Sequence, residues 1–433
     1  MERSAAMIRN LKTPEVMKKL TRLYGKRDGM LVEQTARYTQ LIKRHEELVK
    51  AKAPVFMVSA PGRTEIGGNH TDHNRGKVLA AAVNLDTLAA VSPREDSLVR
   101  VYSEGYAPLE LSLEDLSAKN EEEGKTAALI RGVAAKFADL GYRVGGFDAT
   151  VTSSVRSGSG LSSSAAFEVL ICAIFDLLYN GWTMDAKVRA QISQYAENVY
   201  FGKPSGLMDQ MASSVGGLTF IDFKDETAKV SEISFDFAAY GMALVVVNTG
   251  GSHDDLTEDY AAIPEEMKAV AACFGAAVLR QVRPQEFFQS IPMLREKLTC
   301  ANVERAILRA AHYFAENCRA VEEAEALKKG QLEEFLKLVI ASGSSSFTYL
   351  QNVYARANQQ ELSLALLLAE NKLRGKGAWR VHGGGFAGTT LNFVPQKDLK
   401  DFVQHMEAVF GENSCNVLDI RPEGAAYIDV NGQ

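Results

Sequence analysis

Three glycine-bearing segments hold the side chains with which this chain could do chemistry. In the first, Val155-Arg156-Ser157-Gly158-Ser159-Gly160-Leu161-Ser162-Ser163-Ser164-Ala165-Ala166, small residues join a strand pattern to an amphipathic helix pattern. Such a join suits a phosphate. Gly158 and Gly160 let the backbone approach closely, the helix start offers unpaired N–H groups and the positive end of its dipole, and the serine hydroxyls add donors or a metal ligand. It is not a Walker A loop, because no Gly-Lys-Ser/Thr follows, and Ser163 stands where G-x-G-x-x-G needs its third glycine. The plain alternative is a helix N-cap beside a flexible loop. The second segment, Ser59 to Asn74, packs Arg63, Glu65, Asn69, His70, Asp72 and His73 into a turn between apolar strands. Asn, Asp and His hydrogen-bond sugar hydroxyls, and an Arg balances a phosphate or a catalytic carboxylate. The His70-x-Asp72-His73 spacing could bind zinc, but no further ligand cluster supports it. The third segment, Arg380 to Gly388, satisfies G-x-G-x-x-G at Gly383, Gly385 and Gly388. Behind it Thr389–Pro395 alternates like a strand instead of opening a helix, so a nicotinamide-dinucleotide site fails on context. It is expected to close on a phosphate or on the first glycine loop.

The elements that must position these segments follow from periodicity. Residues 1–50 read as a helical prefix, with Tyr38, Leu41, Ile42, His45 and Leu48 on one stripe. Short β-branched runs at Val55–Ser59, Val78–Val91, Leu98–Tyr102 and Ala149–Thr152, with one helix near Ala127–Leu140, predict an α+β lobe. Apolar residues from Ala166 to Leu178 predict a helix directly after the first glycine loop. Strands at Val215–Ile221 and Met242–Asn248 then open a second lobe, with helices near 258–273, 302–325, 331–340 and 360–373 and strands at 379–395 and 417–430. At 433 residues the chain is long enough for two or three domains. Its 46% hydrophobic and 24% charged residues exclude disordered, collagenous and coiled-coil classes. A net charge of −6 argues against a polyanion as main partner, so no nucleic acid is expected. Five scattered cysteines without a C-x-x-C, and no apolar run of transmembrane length, predict a cytoplasmic protein with reduced thiols and no membrane partner.

In this order the three segments resemble the GHMP kinase superfamily and, within it, the galactokinases. The APGR…HTDHN run is similar to the galactokinase signature, GSGLSSSAA to the ATP-phosphate loop and HGGGFAG to the third motif. The segment Phe201 to Gln210 resembles the stretch that holds the catalytic aspartate, and Arg309 to Arg319 a further helical stretch. The resemblance implies a two-lobed α+β fold of mixed sheets packed with helices, with lobes 1–214 and 215–433 and the site in the cleft between them. It implies a monomeric ATP- and Mg²⁺-dependent sugar 1-kinase, with galactose as the monosaccharide substrate. Asp209 would take or orient the proton of the anomeric hydroxyl beside Arg63. Asn69, His70, Asp72 and Tyr260 would contact the sugar, and Ser157, Gly158, Ser159, Gly160, Leu161, Ser162, Ser163 and Ser164 the triphosphate. Ser164 and Glu197, the latter 12 residues before Asp209, would hold the metal.

The signature departs from the family pattern at four positions. Glu65 replaces Asn, Gly67 an Ile, Asn69 an acid and His73 a Tyr. Loss of the acid at 69 opens the way to a relative of galactose, such as galacturonate, N-acetylgalactosamine or arabinose, unless Glu65 supplies the missing carboxylate. A silent sugar sensor is the other reading, disfavoured because Ser164, Asp209 and Arg63 are all present.

Overall fold

Met57 and Val58 point to opposite faces of one strand, and each face is covered by its own set of helices. The computed structural model describes residues 2–50, 53–156, 158–203, 205–225, 227–251, 256–386 and 388–431. In chain order the elements are α1 (Glu2–Asn10), α2 (Pro14–Tyr24), α3 (Met30–Val49), β1 (Phe56–Gly67), β2 (Lys77–Pro93), β3 (Leu98–Ser103), β4 (Leu109–Ser112), α4 (Thr126–Asp139) and β5 (Phe147–Ser153). These are followed by α5 (Ser163–Tyr179), α6 (Ala186–Tyr195), α7 (Met208–Val215), β6 (Leu218–Asp222), β7 (Lys229–Ile233), β8 (Met242–Asn248) and α8 (Thr257–Ala272). The remainder comprises α9 (Pro284–Gln289), α10 (Ile291–Lys297), α11 (Val303–Lys328), α12 (Leu332–Ser345), α13 (Glu361–Leu373), β9 (Ala378–Val381), β10 (Thr389–Pro395), α14 (Leu399–Phe410), β11 (Cys415–Leu418) and β12 (Ala426–Ile428).

The first sheet runs β12-β1-β2-β5-β3-β4, with β6 added to the near end of β2 and β7 beyond it. Its pairs are antiparallel except β3 with β5. Both faces are buried along almost the whole of β1 and β2; β2 reads as a largely apolar run, whereas the end of β1 carries Arg63, Thr64 and Glu65. On one face Val58, Ala60, Ala89 and Val91 pack under α4, α5 and α6. On the other, Met57, Leu88 and Ala90 pack with Leu20, Tyr24, Tyr38 and Ile42, so the helical prefix covers the back of this sheet. The second sheet, β11-β8-β10-β9, is antiparallel and repeats the scheme. Leu244 and Val246 face α11 and α12, and Val245 and Val247 face α13 and α14. Ile66, within the sugar-type signature, and Leu161, within the first glycine loop, are buried in the core of this second sheet.

Two features differ from the sequence reading. The strand expected to stop at Ser59 continues to Gly67, so Arg63 and Glu65 are strand residues, not loop residues. Their polarity suggested a turn, but partners buried opposite them satisfy it, as described below. The division near residue 215 is crossed by strand pairing: β6, β7 and β12 all hydrogen-bond into the first sheet. Among the described residues no helix is long and apolar enough to cross a membrane, and the five cysteines are free.

Candidate active site

Strand β1 and the first glycine loop meet backbone to backbone, the Arg63 N–H donating to the Leu161 carbonyl at 3.0 Å. A register shift between Pro61 and Arg63 turns the arginine toward α7. There its guanidinium grips Asp209 with two parallel bonds, Nε to Oδ1 at 2.7 Å and Nη2 to Oδ2 at 2.8 Å. Its remaining nitrogen donates to the Gly160 carbonyl. Asp209 lies in the first turn of α7, where the helix dipole also favours an anion. Burial pushes its carboxyl up, but Arg63 and a hydrogen bond from Ser162 outweigh burial and hold it below the usual carboxylate range.

Ser162 stands at the start of α5, where the N-cap reading of the glycine loop would place a capping side chain. It occupies the cap position of α5 yet makes no capping bond, and its φ of 57° is the left-handed region that a non-glycine residue seldom adopts. Its hydroxyl goes to Asp209 instead. The first turn of α5, like those of α4 and α7, thus has no side-chain cap. Gly160, at φ 72°, sits against His382 and Thr389, and a β-carbon there would lie 2.3 Å from Thr389 Oγ1. The third glycine segment meets the first glycine loop, one of the two expectations for it. His382 is fixed between Thr64 and Thr389 at 3.0 and 3.1 Å, and burial keeps it neutral. Ser157 lies outside the described residues.

Glu197 sits on a π-helical turn, Ala196–Tyr200, at the end of α6, a local widening often found at functional positions. Its buried Oε1 accepts from Ser164 Oγ at 3.3 Å and from the Lys203 ammonium at 3.0 Å. Oε2 accepts from Ser205 Oγ at 2.6 Å and Gln210 Nε2 at 2.8 Å. Gln210 also donates to Glu168, whose buried carboxyl is pushed well up by desolvation and by the charge of Glu197. Among the described residues no group of three or more His, Cys, Asp and Glu side chains is placed to hold a metal, so the zinc alternative at His70 and His73 gains no ligand set.

The residues expected at the sugar form a second cluster. Asp72 lies against Gly206, three residues before Asp209, with its carboxylate where a β-carbon on that glycine would fall. His70, in the left-handed region at φ 57°, donates from Nε2 to the Gly384 carbonyl at 3.0 Å, while its buried Nδ1 has no partner. Burial lowers its pKa to about 3, so it is neutral at physiological pH. Tyr260, on α8, donates its hydroxyl to the Gly385 carbonyl at 2.7 Å and stands edge-on to Phe386; burial raises its pKa to about 12. Asn69 is closed to solvent and uses its whole amide. Nδ2 donates to Glu65 Oε1 at 2.9 Å and to the Gly383 carbonyl at 2.7 Å, while Oδ1 accepts from Ser346 and Asn352 at 3.1 and 3.0 Å. Glu65 in turn is paired with the fully buried Arg380. From α11, Glu316 accepts the N–H groups of Gly68 and Asn69, and His312 meets the Asn69 carbonyl at 3.0 Å.

Sequence reading did not assign Lys203, Glu168, Gln210, Ser346 or Asn352. Gln210 adjoins Asp209 and Lys203 sits in the same segment, so their proximity was visible. Ser346 and Asn352 lie more than 270 residues from Asn69, and no local signal marks them.

The galactokinase galactose-binding signature matches residues 43–93, and the GHMP kinase N-terminal domain matches residues 128–217. The fold is similar to that of Lactococcus lactis galactokinase complexed with galactose, with TM-score 0.78 at 23% identity over 90% of this chain and 99% of that one. A mevalonate kinase shares it more loosely, with TM-score 0.56 at 13% identity over 84% of this chain and 98% of the other. The fold and the glycine loop thus define a GHMP kinase. Galactokinase of Streptomyces coelicolor is 32% identical over 398 residues, 89% of this chain and 96% of that protein. That of Actinobacillus pleuropneumoniae serotype 5b is 32% identical over 82% of this chain and 88% of its own length. This chain belongs to the galactokinase family, and is an ATP-using phosphotransferase with an alcohol group on a monosaccharide as acceptor.

Proposed function

We propose that the protein phosphorylates the anomeric hydroxyl of galactose, giving galactose 1-phosphate and ADP. The observation that carries this reading is the position of Asp209. One carboxylate is held by Arg63 from the sugar-type signature and by Ser162 from the phosphate loop, so it stands where the two substrates must meet. The C1 oxygen attacks the terminal phosphorus, the bond from that phosphorus to the bridging oxygen of ADP breaks, and the hydroxyl proton passes to Asp209. With its pKa held low, Asp209 is a weak base, and its main work is to orient the hydroxyl while Arg63 balances charge. That suits a loose phosphoryl-transfer transition state, which asks for alignment and neutralisation.

The uncapped start of α5 and residues Ser157 to Ser164 receive the triphosphate in this reading. Ser164 and Glu197 would hold the metal: a hydroxyl and a carboxylate in contact are the hard oxygens Mg²⁺ prefers. When bound, Mg²⁺ neutralises phosphate charge. His70, Asp72 and Tyr260 face the sugar, whereas Asn69 acts by fixing the wall behind them, since its amide has no free position. We further propose a monomer without a nucleic-acid partner.

The test is an ADP-release assay with galactose, N-acetylgalactosamine, arabinose and galacturonate side by side. Galactose is expected to give the highest kcat/KM; a higher value for galacturonate would overturn the assignment.

A further inference from the structure

The segment that carries Asp209 also carries a lysine that the reaction described above does not use. Lys203 is tied to Glu197 twice, by its backbone N–H to the Glu197 carbonyl at 3.1 Å and by its ammonium to Oε1 at 3.0 Å. Oε1 is the oxygen that also takes the Ser164 hydroxyl, while Ser205 and Gln210 fill Oε2. The carboxylate is 3% exposed and the lysine side chain 60%, so the ammonium comes onto a buried anion from the solvent side. A buried carboxylate needs a cation, because desolvation of an uncompensated charge costs several kcal/mol. A divalent ion on the same oxygen repels an ammonium in contact with it, so the two occupy Oε1 in turn.

We propose that Lys203 is an exchangeable cation. In the metal-free enzyme it keeps Glu197 aimed at Ser164; when Mg²⁺ arrives it leaves Oε1 and turns its ammonium to the phosphates of the nucleotide. A flexible four-carbon stem with three rotatable donors can make that exchange, and a guanidinium fork is less suited to it. The proposal rests on the assignment of Ser164 and Glu197 as metal ligands.

The experiment titrates the full-length, nucleotide-free protein with Mn²⁺ and follows free Mn²⁺ by electron paramagnetic resonance. Lys203→Met is expected to bind Mn²⁺ about tenfold more tightly than the wild type, since the competing charge is gone. At saturating Mg²⁺ the same variant is expected to bind ADP several-fold more weakly by calorimetry, whereas in EDTA, where the ammonium stays on Glu197, its ADP affinity should match the wild type. Glu197→Gln should lose Mn²⁺ binding, with Ser164→Ala making the same comparison if the glutamine variant does not fold. Unchanged or weaker Mn²⁺ affinity in Lys203→Met, while Glu197→Gln loses the metal, overturns the role of Lys203 alone. Undiminished Mn²⁺ binding in Glu197→Gln and Ser164→Ala overturns the metal site and this proposal together.

Discussion

The two sides of the active site are built in opposite ways. On the side proposed for the phosphates, Asp209 is partly open, its bonds come from charged or hydroxyl groups, and the cation on the buried Glu197 is a lysine exposed to solvent. On the sugar side, Glu65, Asn69, Arg380, His312 and Glu316 are closed to solvent or nearly so and saturated with one another. The difference follows from what each side must do. In the proposed reaction phosphates come and go and carry charge, so the groups that meet them need partners they can exchange, as a lysine on the solvent side of Glu197 allows. A neutral sugar is recognised by direction, and a rigid wall holds hydrogen-bonding groups in one geometry before it arrives.

The sharpest break in this comparison is Asp209→Asn. The amide keeps the size but not the charge that Arg63 and Ser162 require, so turnover is expected to fall by about 10³-fold or more. ADP affinity by calorimetry should stay within a few-fold of wild type, because the uncapped helix start is untouched. A rate near that of the wild type would remove Asp209 from the reaction.

Asn69→Asp probes the closed side. An aspartate there turns two donated bonds into repulsion, one against the Glu65 carboxylate and one against the Gly383 carbonyl. With no solvent to relieve it, a loss of about 2–4 kcal/mol in unfolding free energy is expected, read from urea melts, together with a raised KM for the sugar. Restored or improved sugar affinity at full stability would show that residue 69 faces the substrate after all.

These contrasts mark how far the sequence could be read. The glycine loop and Arg63 stood out by residue type, whereas Glu197 and Asp209 were marked only by the resemblance to the galactokinases; the fold brings Arg63 and Ser162 onto Asp209 and Ser164 onto Glu197. Elements with clear periods, such as α5, β2 and β10, fell where the pattern put them. The polar stretch after Ser59 was read as a turn because burial of Arg63 and Glu65 depends on Asp209 and Arg380, residues 146 and 315 positions away. The departure at residue 69 pointed to the sugar for the same reason: its partners Ser346 and Asn352 are distant in sequence, and nothing local shows that its amide is already engaged. The strand β12 returning to β1 is a long-range pairing of the same kind.

The smallest effect tests how the closed side is held. Glu316 accepts two backbone N–H groups of the signature loop and the Ser342 hydroxyl, and is paired with Arg319. Burial pushes its carboxyl up, but His312, Arg319 and Arg380 outweigh burial and lower it from 4.5 to about 2. A carboxyl with a depressed folded-state pKa adds stability that is fully present above its unfolded value and is lost as pH falls through the folded one. Wild type should therefore exceed Glu316→Gln in unfolding free energy by a constant margin at pH 6–7 and by a shrinking one from about 4.5 downward, measured as the difference between paired urea melts. Groups common to both proteins cancel in that difference, so a margin that holds or widens below pH 4.5 would mean that Glu316 does not carry its charge in the wall of the sugar site.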